Sequence, residues 1–225
     1  MNTIVKVQNI IKDYGQGDVV VHALRGVTLN IKSGDFTSMA GPSGSGKSTL
    51  LNIIGGLDRP TSGAVEVEGR ATGEMSMTGL SRLRRDRIGF IFQNYSLIPV
   101  LTAMENAEYI LMQQGMPAER RREKIMDLLN QVGLKGMENR FPRELSGGQQ
   151  QRVAIARAIA SEPALVLADE PTANVDSRTA AGILDLMERL NSETGVTFLF
   201  STHDREVMRR AHRLIWLRDG EISED

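Results

Sequence analysis

The run Gly41-Pro42-Ser43-Gly44-Ser45-Gly46-Lys47-Ser48 constrains this chain more than any other stretch. It fits the phosphate-loop pattern G-x-x-x-x-G-K-[ST] and lies between an apolar run, Asp35 to Ala40, and a segment of helical period, Lys47 to Leu57. Strand, loop and helix in that order form the context in which such a loop holds phosphate. Glycines let the backbone wrap tightly enough to aim its N–H groups at phosphate oxygens, and the helix N-terminus adds a positive dipole end. Lys47 is expected to reach the β- and γ-phosphates of a nucleotide and Ser48 to ligate Mg²⁺, with Thr49 beside them in the binding segment. The competing reading, a glycine-rich turn with an incidental Lys-Ser, leaves the flanking strand and helix unexplained.

Two further apolar runs, Ala164 to Ala168 and Val196 to Phe200, read as buried strands. After the first of them come Ala180, Ile183, Leu184, Met187 and Leu190 at helical spacing. Strand, loop and helix, repeated, imply an α/β fold with a parallel sheet and crossover helices. The stretch up to Ile31 and the segment Gly63 to Gly69 alternate at period two instead, as a half-exposed antiparallel layer does. From Asn94 to Gln151 the pattern is helical: Ile125, Leu128, Leu129 and Val132 share a face, with Glu119 to Lys124 leading in. The expected architecture is one domain, with the β layer and phosphate-loop core over 1–93 and 153–225 and an inserted helical subdomain over 94–152.

An acid that follows four apolar strand residues stands at the C-terminal edge of the sheet, where α/β ligands bind. Asp169 is therefore placed for the Mg²⁺ shell, and Glu170, one residue on, for orienting or deprotonating a water beside the γ-phosphate. The alternative is that the pair caps the next helix. The third strand ends in Ser201-Thr202-His203-Asp204 at the same edge, and His203 is a candidate donor to the γ-phosphate. Taken alone, it also reads as an ordinary polar residue at a strand end. A second glycine-rich turn, Leu145-Ser146-Gly147-Gly148-Gln149, feeds a strongly helical run and offers a second phosphate site at a helix N-terminus. One chain thus carries halves of two sites.

Taken in order, these motifs resemble the ATPase subunits of ABC (ATP-binding cassette) transporters, and the resemblance covers nearly the whole chain. It implies a RecA-like P-loop NTPase core, ATP and Mg²⁺ as ligands, and ATP hydrolysis coupled to transport. It further implies that Gln93 approaches Mg²⁺ and the γ-phosphate, that Glu170 is the catalytic carboxylate, that His203 is the switch histidine, and that Tyr14 stacks on adenine. A finer resemblance is to the lipoprotein-releasing and macrolide-exporter subfamily, carried by Val21 to Leu29, Met39 to Asp58, Ile88 to Pro99 and Leu101 to Asn106. Ala173-Asn174-Val175-Asp176 departs from the Ser-Ala-Leu-Asp that is common in the broad family, while retaining Asp176. The partners implied are a second copy, head to tail around ATP, and an integral-membrane permease. That permease would hold the chain to the inner face of the cell membrane.

Composition limits the rivals. With 27 Lys+Arg against 28 Asp+Glu and no cysteine, the 225-residue chain is near neutral, has no disulfide framework and is expected to bind no nucleic acid. The basic clusters Arg82 to Arg87 and Arg120 to Arg122 read as solvated helix faces, and the eleven Met residues as core filler. No stretch reads as a secretory signal or a membrane span. Area scaling gives roughly 10,000 Å² of folded surface against about 36,000 Å² extended, enough to build a core. Two other functions remain open: a regulatory ATPase of a permease-like complex that moves no substrate, as in cell division, and a soluble ABC ATPase acting on DNA or ribosomes. Leu97, Ile98, Val100, Leu101 and Met104 read either as an exposed groove for a permease helix or as packing inside the helical lobe.

Overall fold

The computed structural model describes residues 2–16 and 19–223. In β1 (Thr3–Gln16), Val5 and Val7 are fully buried while Lys6 and Gln8 keep access to solvent. That alternation builds the antiparallel layer: β1 pairs with β2 (Val19–Lys32) and with β4 (Ser62–Val67), and β5 (Arg70–Ala71) completes the order β2-β1-β4-β5. The second sheet has the order β10-β9-β3-β8-β7-β6. The three apolar runs are its β3 (Phe36–Ala40), β7 (Leu165–Asp169) and β8 (Thr197–Thr202), adjacent and parallel. Both β7 and β8 extend past their apolar runs, so that Asp169 stands opposite Ser201 in the ladder.

The sequence reading did not foresee β6 (Ile88–Ile91), β9 (Arg213–Arg218) or β10 (Glu221–Ser223). Each is short, β6 contains a glycine, and β10 is a three-residue antiparallel edge on β9. Helix α2 (Met77–Arg87) carries the solvated basic face read at Arg82 to Arg87, whereas α7 (Arg205–Arg210) was not foreseen.

Helix α1 (Lys47–Ile54) lies between the sheets, ending before Gly55 and Gly56 rather than at Leu57. Its Leu50, Ile53 and Ile54 share one apolar cluster with Val5, Val7 and Ile31 of the antiparallel layer and with Met39, Leu167 and Leu199 of the parallel sheet. On the other face of the parallel sheet, Phe36, Phe198 and Phe200 pack ring against ring under α6 (Ser177–Thr194) and α5 (Gly147–Ile159).

The helical segment consists of α3 (Ala103–Gln113), α4 (Ala118–Gln131) and α5. Ile125, Leu128, Leu129 and Val132 are buried on one face as the spacing requires, and Glu119 to Lys124 form the first half of α4. Position 152 falls within α5, which runs on to Ile159. The segment before α3 does not form the exposed groove considered above. Buried Asn106 accepts from the Ile98 N–H and donates to the Ile98, Leu101 and Thr102 carbonyls, folding the segment onto the lobe. Met104 is core and Leu97 packs against it, while Val100 remains 76% exposed. The apolar cleft lies alongside instead. It encloses about 590 Å³ between Leu57, Phe90, Phe92, Tyr109 and Ile110, with Arg82, Arg84 and Arg85 also lining it. Among the described residues no helix is long and apolar enough to cross a membrane.

Candidate nucleotide site

The loop Gly41 to Gly46 leaves β3 and enters α1 through Gly46, whose φ of 104° lies in the region that side chains avoid. A Cβ there would stand 2.6 Å from the Ala23 carbonyl oxygen, so the loop is seated directly on β2. Lys47 is only 6% exposed, and its Nζ donates to the Gly41 and Pro42 carbonyls at 2.8 and 2.9 Å, closing the loop on itself. Pro42, Ser43 and Gly44 form the exposed crest, while the Ser45 hydroxyl is buried without a hydrogen-bond partner among the described residues. Ser48 Oγ donates to Asp169 Oδ1 at 2.9 Å.

At the ends of β7 and β8 the bonds continue. Ser201 Oγ donates to Asp169 Oδ1 at 2.6 Å and accepts from the Glu170 N–H at 3.0 Å. Glu170 Oε1 lies 2.8 Å from His203 Nδ1. Glu170 takes a φ of 46°, a left-handed conformation that costs about 1–2 kcal/mol for a residue with a side chain. The reading of Asp169 and Glu170 as a helix cap does not hold. The cap of α6 is Asp176, which accepts from the Thr179 N–H at 3.0 Å and the Thr179 hydroxyl at 2.6 Å, and these bonds hold its carboxyl below the usual range.

Tyr14 sits at one side, 41% exposed, with Thr49 beside its hydroxyl. That hydroxyl donates to Asp58 Oδ2 at 2.7 Å, and Lys12 Nζ lies 4.6 Å from the ring centre while donating to Asp58 Oδ1 at 2.8 Å. Burial and the Asp58 contact raise the phenol pKa. Burial works against the Asp58 carboxylate, but hydrogen bonds from Lys12, Tyr14 and the Arg59 backbone outweigh it and leave that group more acidic than usual.

The structure joins Ser48, Asp169, Glu170 and His203 in one hydrogen-bonded series, with Lys47 adjacent in the chain. It does not bring Leu145 to Gln149 into that series. Leu145 is buried, Ser146 and Gln149 cap α5 reciprocally at 3.3 and 2.9 Å, and Gly147 and Gly148 face Tyr95 and Thr179. Gln93 is exposed, and its backbone carbonyl accepts from Asn174 Nδ2 at 2.8 Å. Sequence reasoning missed Lys12, Asp58, Asn174 and Ser201. Ser201 left a signal as a polar residue ending a buried strand next to one that ends in Asp169, and Asn174 as part of the departure from Ser-Ala-Leu-Asp.

Residues 24–173 match the family described as ABC transporter. The chain belongs to that family. The cassette is 47% identical over 226 residues to MJ0796 of Methanocaldococcus jannaschii, an uncharacterized ABC transporter ATP-binding protein; the match covers 99% of this chain and 96% of that protein. It is 45% identical over 225 residues to the lipoprotein-releasing system ATP-binding protein LolD 1 of Rhodopseudomonas palustris, covering 99% of this chain and all of that one. A macrolide export ATP-binding/permease protein, MacB of Mannheimia succiniciproducens, is 43% identical over 222 residues, and the cassette spans 34% of its length. The dimeric MJ0796 structure described as a post-hydrolysis state bound to ADP and Pi superposes with a TM-score of 0.92, over 98% of this chain and 97% of that one. As a member of the family, the cassette binds and hydrolyses ATP.

Proposed function

We propose that this cassette drives a membrane permease by closing, as a head-to-tail dimer, on two ATP molecules and reopening once they are hydrolysed. The observation that carries the reading is the series Ser48, Asp169, Ser201, Glu170, His203. It sets a hydroxyl and a carboxylate, hard oxygen donors suited to Mg²⁺, beside a second carboxylate and an imidazole. Ser48 and Asp169, joined by Gln93, would hold Mg²⁺, which when bound neutralises charge on the β- and γ-phosphates. Lys47 exchanges its two loop carbonyls for phosphate oxygens, and the backbone N–H groups of Gly41 to Ser48 turn to the same anion. Glu170 orients the attacking water and accepts its proton. His203 holds Glu170 through Nδ1, leaving Nε2 for the γ-phosphate. Tyr14 offers its ring to adenine.

The N-terminus of α5, with Ser146, Gly147, Gly148 and Gln149, completes the site of the partner copy. Two half-sites exchanged across a two-fold axis close the assembly with no open end. In this reading residues 94–152 form a helical lobe, and the cleft between Leu57, Phe90 and Tyr109 receives a short permease helix whose acids meet Arg82, Arg84 and Arg85. The permease would hold the cassette on the inner face of the cell membrane. Lipoprotein release and macrolide export, the activities in the names of two relatives, bracket the transport proposed. The test is phosphate release by the purified chain with ATP and Mg²⁺, followed alongside its elution volume. Hydrolysis together with an ATP-dependent dimer of Glu170→Gln supports the reading, and hydrolysis by a species that stays monomeric throughout overturns it.

A further inference from the structure

Tyr95 and Ser96 take left-handed backbone conformations in succession, with φ of 62° and 47°. Each costs about 1–2 kcal/mol, so the surroundings must hold them. Arg157 of α5 does so on one side, donating to the Tyr95 carbonyl at 2.9 Å and to the Ser96 carbonyl at 2.5 Å. On the other side the segment meets the loop after Glu170. Asn174 Nδ2 donates to the Gln93 carbonyl at 2.8 Å, and the Tyr95 hydroxyl donates to the Asn174 carbonyl at 3.1 Å. The same loop is tied to Glu170, whose carbonyl accepts from the Ala173 N–H at 3.2 Å. A third segment closes on this point: a Cβ on Gly147 would lie 2.7 Å from the Tyr95 hydroxyl and 3.3 Å from the Asn174 carbonyl oxygen. Only a residue without a side chain lets the two meet there.

We propose that Asn174 and Tyr95 form a latch that fixes Gln93 and Glu170 relative to each other, making both positioning residues for hydrolysis. The inference rests on the roles proposed above for Gln93 and Glu170. The loop carrying Asn174 grips the backbone of both, so a shift of Gly147 and the α5 N-terminus reaches the two groups together. Asn174 is exposed, so its hydrogen bonds compete with water and add little to stability. Any effect on turnover then reports placement rather than folding.

The experiment compares steady-state ATP hydrolysis by Asn174→Ala, Tyr95→Phe, their double variant and Gln93→Ala, with fluorescent-ATP affinity and thermal midpoint measured on each. The latch requires kcat to fall roughly tenfold or more in Asn174→Ala, the order of loss that small misplacement of an orienting group causes. KM, affinity and midpoint stay unchanged, and the double variant loses no more than the worse single variant, because the latch holds only while both of its hydrogen bonds are made. If Gln93→Ala lowers kcat while Asn174→Ala and Tyr95→Phe do not, the latch is wrong and the role of Gln93 stands. If Gln93→Ala leaves kcat unchanged, that role fails and the latch falls with it. A loss of kcat matched by a higher KM and a lower midpoint assigns Asn174 to folding and also overturns the proposal.

Discussion

His203 and Glu170 meet across the ends of two adjacent parallel strands, Nδ1 to Oε1 at 2.8 Å, with the carboxylate side chain 14% exposed and the imidazole 65%. The shielded carboxylate is thereby fixed by a group that solvent and ligand can reach. Glu170→Gln keeps the shape of this contact but removes the proposed base. Turnover should fall 10²-fold or more, on the order expected for loss of a general base, with ATP affinity retained. On the proposed cycle, in which hydrolysis reopens the dimer, the variant should elute as a dimer with ATP while the parent chain runs largely as monomer. Near-parental turnover would show that another group activates the water.

Lys47→Ala should lose ATP affinity by roughly tenfold or more, since a charged hydrogen bond contributes about 1.5–3 kcal/mol. The loop also loses the bonds to the Gly41 and Pro42 carbonyls, so Lys47→Arg, whose planar head cannot reproduce both, should not restore binding. Titration with a fluorescent ATP analogue measures this, and unchanged affinity in Lys47→Ala removes the lysine from the site.

Tyr14→Ala should weaken ATP and ADP alike by about 1–3 kcal/mol, the worth of stacking a base on an aromatic ring, while Tyr14→Phe keeps most of the affinity. Lys12 and Asp58 hold the ring from its face and its hydroxyl, so Asp58→Asn should give a smaller loss in the same direction. Competition between ATP and inorganic triphosphate separates the cases: triphosphate affinity should not respond to Tyr14.

Leu57 is 47% exposed at the mouth of the apolar cleft. Leu57→Asp should leave ATP affinity and thermal midpoint unchanged yet abolish co-purification with the permease. Retained co-purification places the docking surface elsewhere.

Glu68 accepts from two Arg87 nitrogens, one at 2.7 Å, joining the β4–β5 turn to the end of α2. The Arg87 hydrogen bonds hold its carboxyl below the usual range. A carboxyl with a lower pKa folded than unfolded adds stability above its unfolded pKa and loses it as pH falls through the folded value. The thermal midpoint of the parent chain should therefore drop on acidification below the ordinary carboxylate range, and Glu68→Gln should drop less over that interval. Equal slopes would show that the pair contributes nothing.

The phosphate loop, the Asp169–Glu170 pair and His203 were legible because each is a contiguous run bounded by a strand, and strand ends are where a parallel sheet gathers polar groups. The face of α4 was legible for the same local reason. What stayed hidden depends on residues far apart in the chain. Tyr95 and Asn174 are 79 positions apart, and Tyr14 and Asp58 are 44 apart. Of the two readings open for Leu97 to Met104, packing in the lobe holds for Leu97 and Met104, where buried Asn106 ties the segment back, and a single asparagine leaves no periodic trace. β6 was missed because four residues are too few to display a period.

Leu50 and Ile53 of α1 lodge in a cluster shared with both sheets, so neither sheet can slide over the other without opening that cluster to water. The body beneath the phosphate loop therefore behaves as a single anvil. A blow struck there by the arriving or departing phosphate is not absorbed by the β layers, and it passes on to the segments bonded to the strand ends from outside the sheets. Residues 92–102, turning through short bends between β6 and α3 and gripped there by Arg157, Asn174 and Asn106, are one such segment. Hydrogen exchange with and without ATP should register the change in protection there before it registers any in β3 or β8.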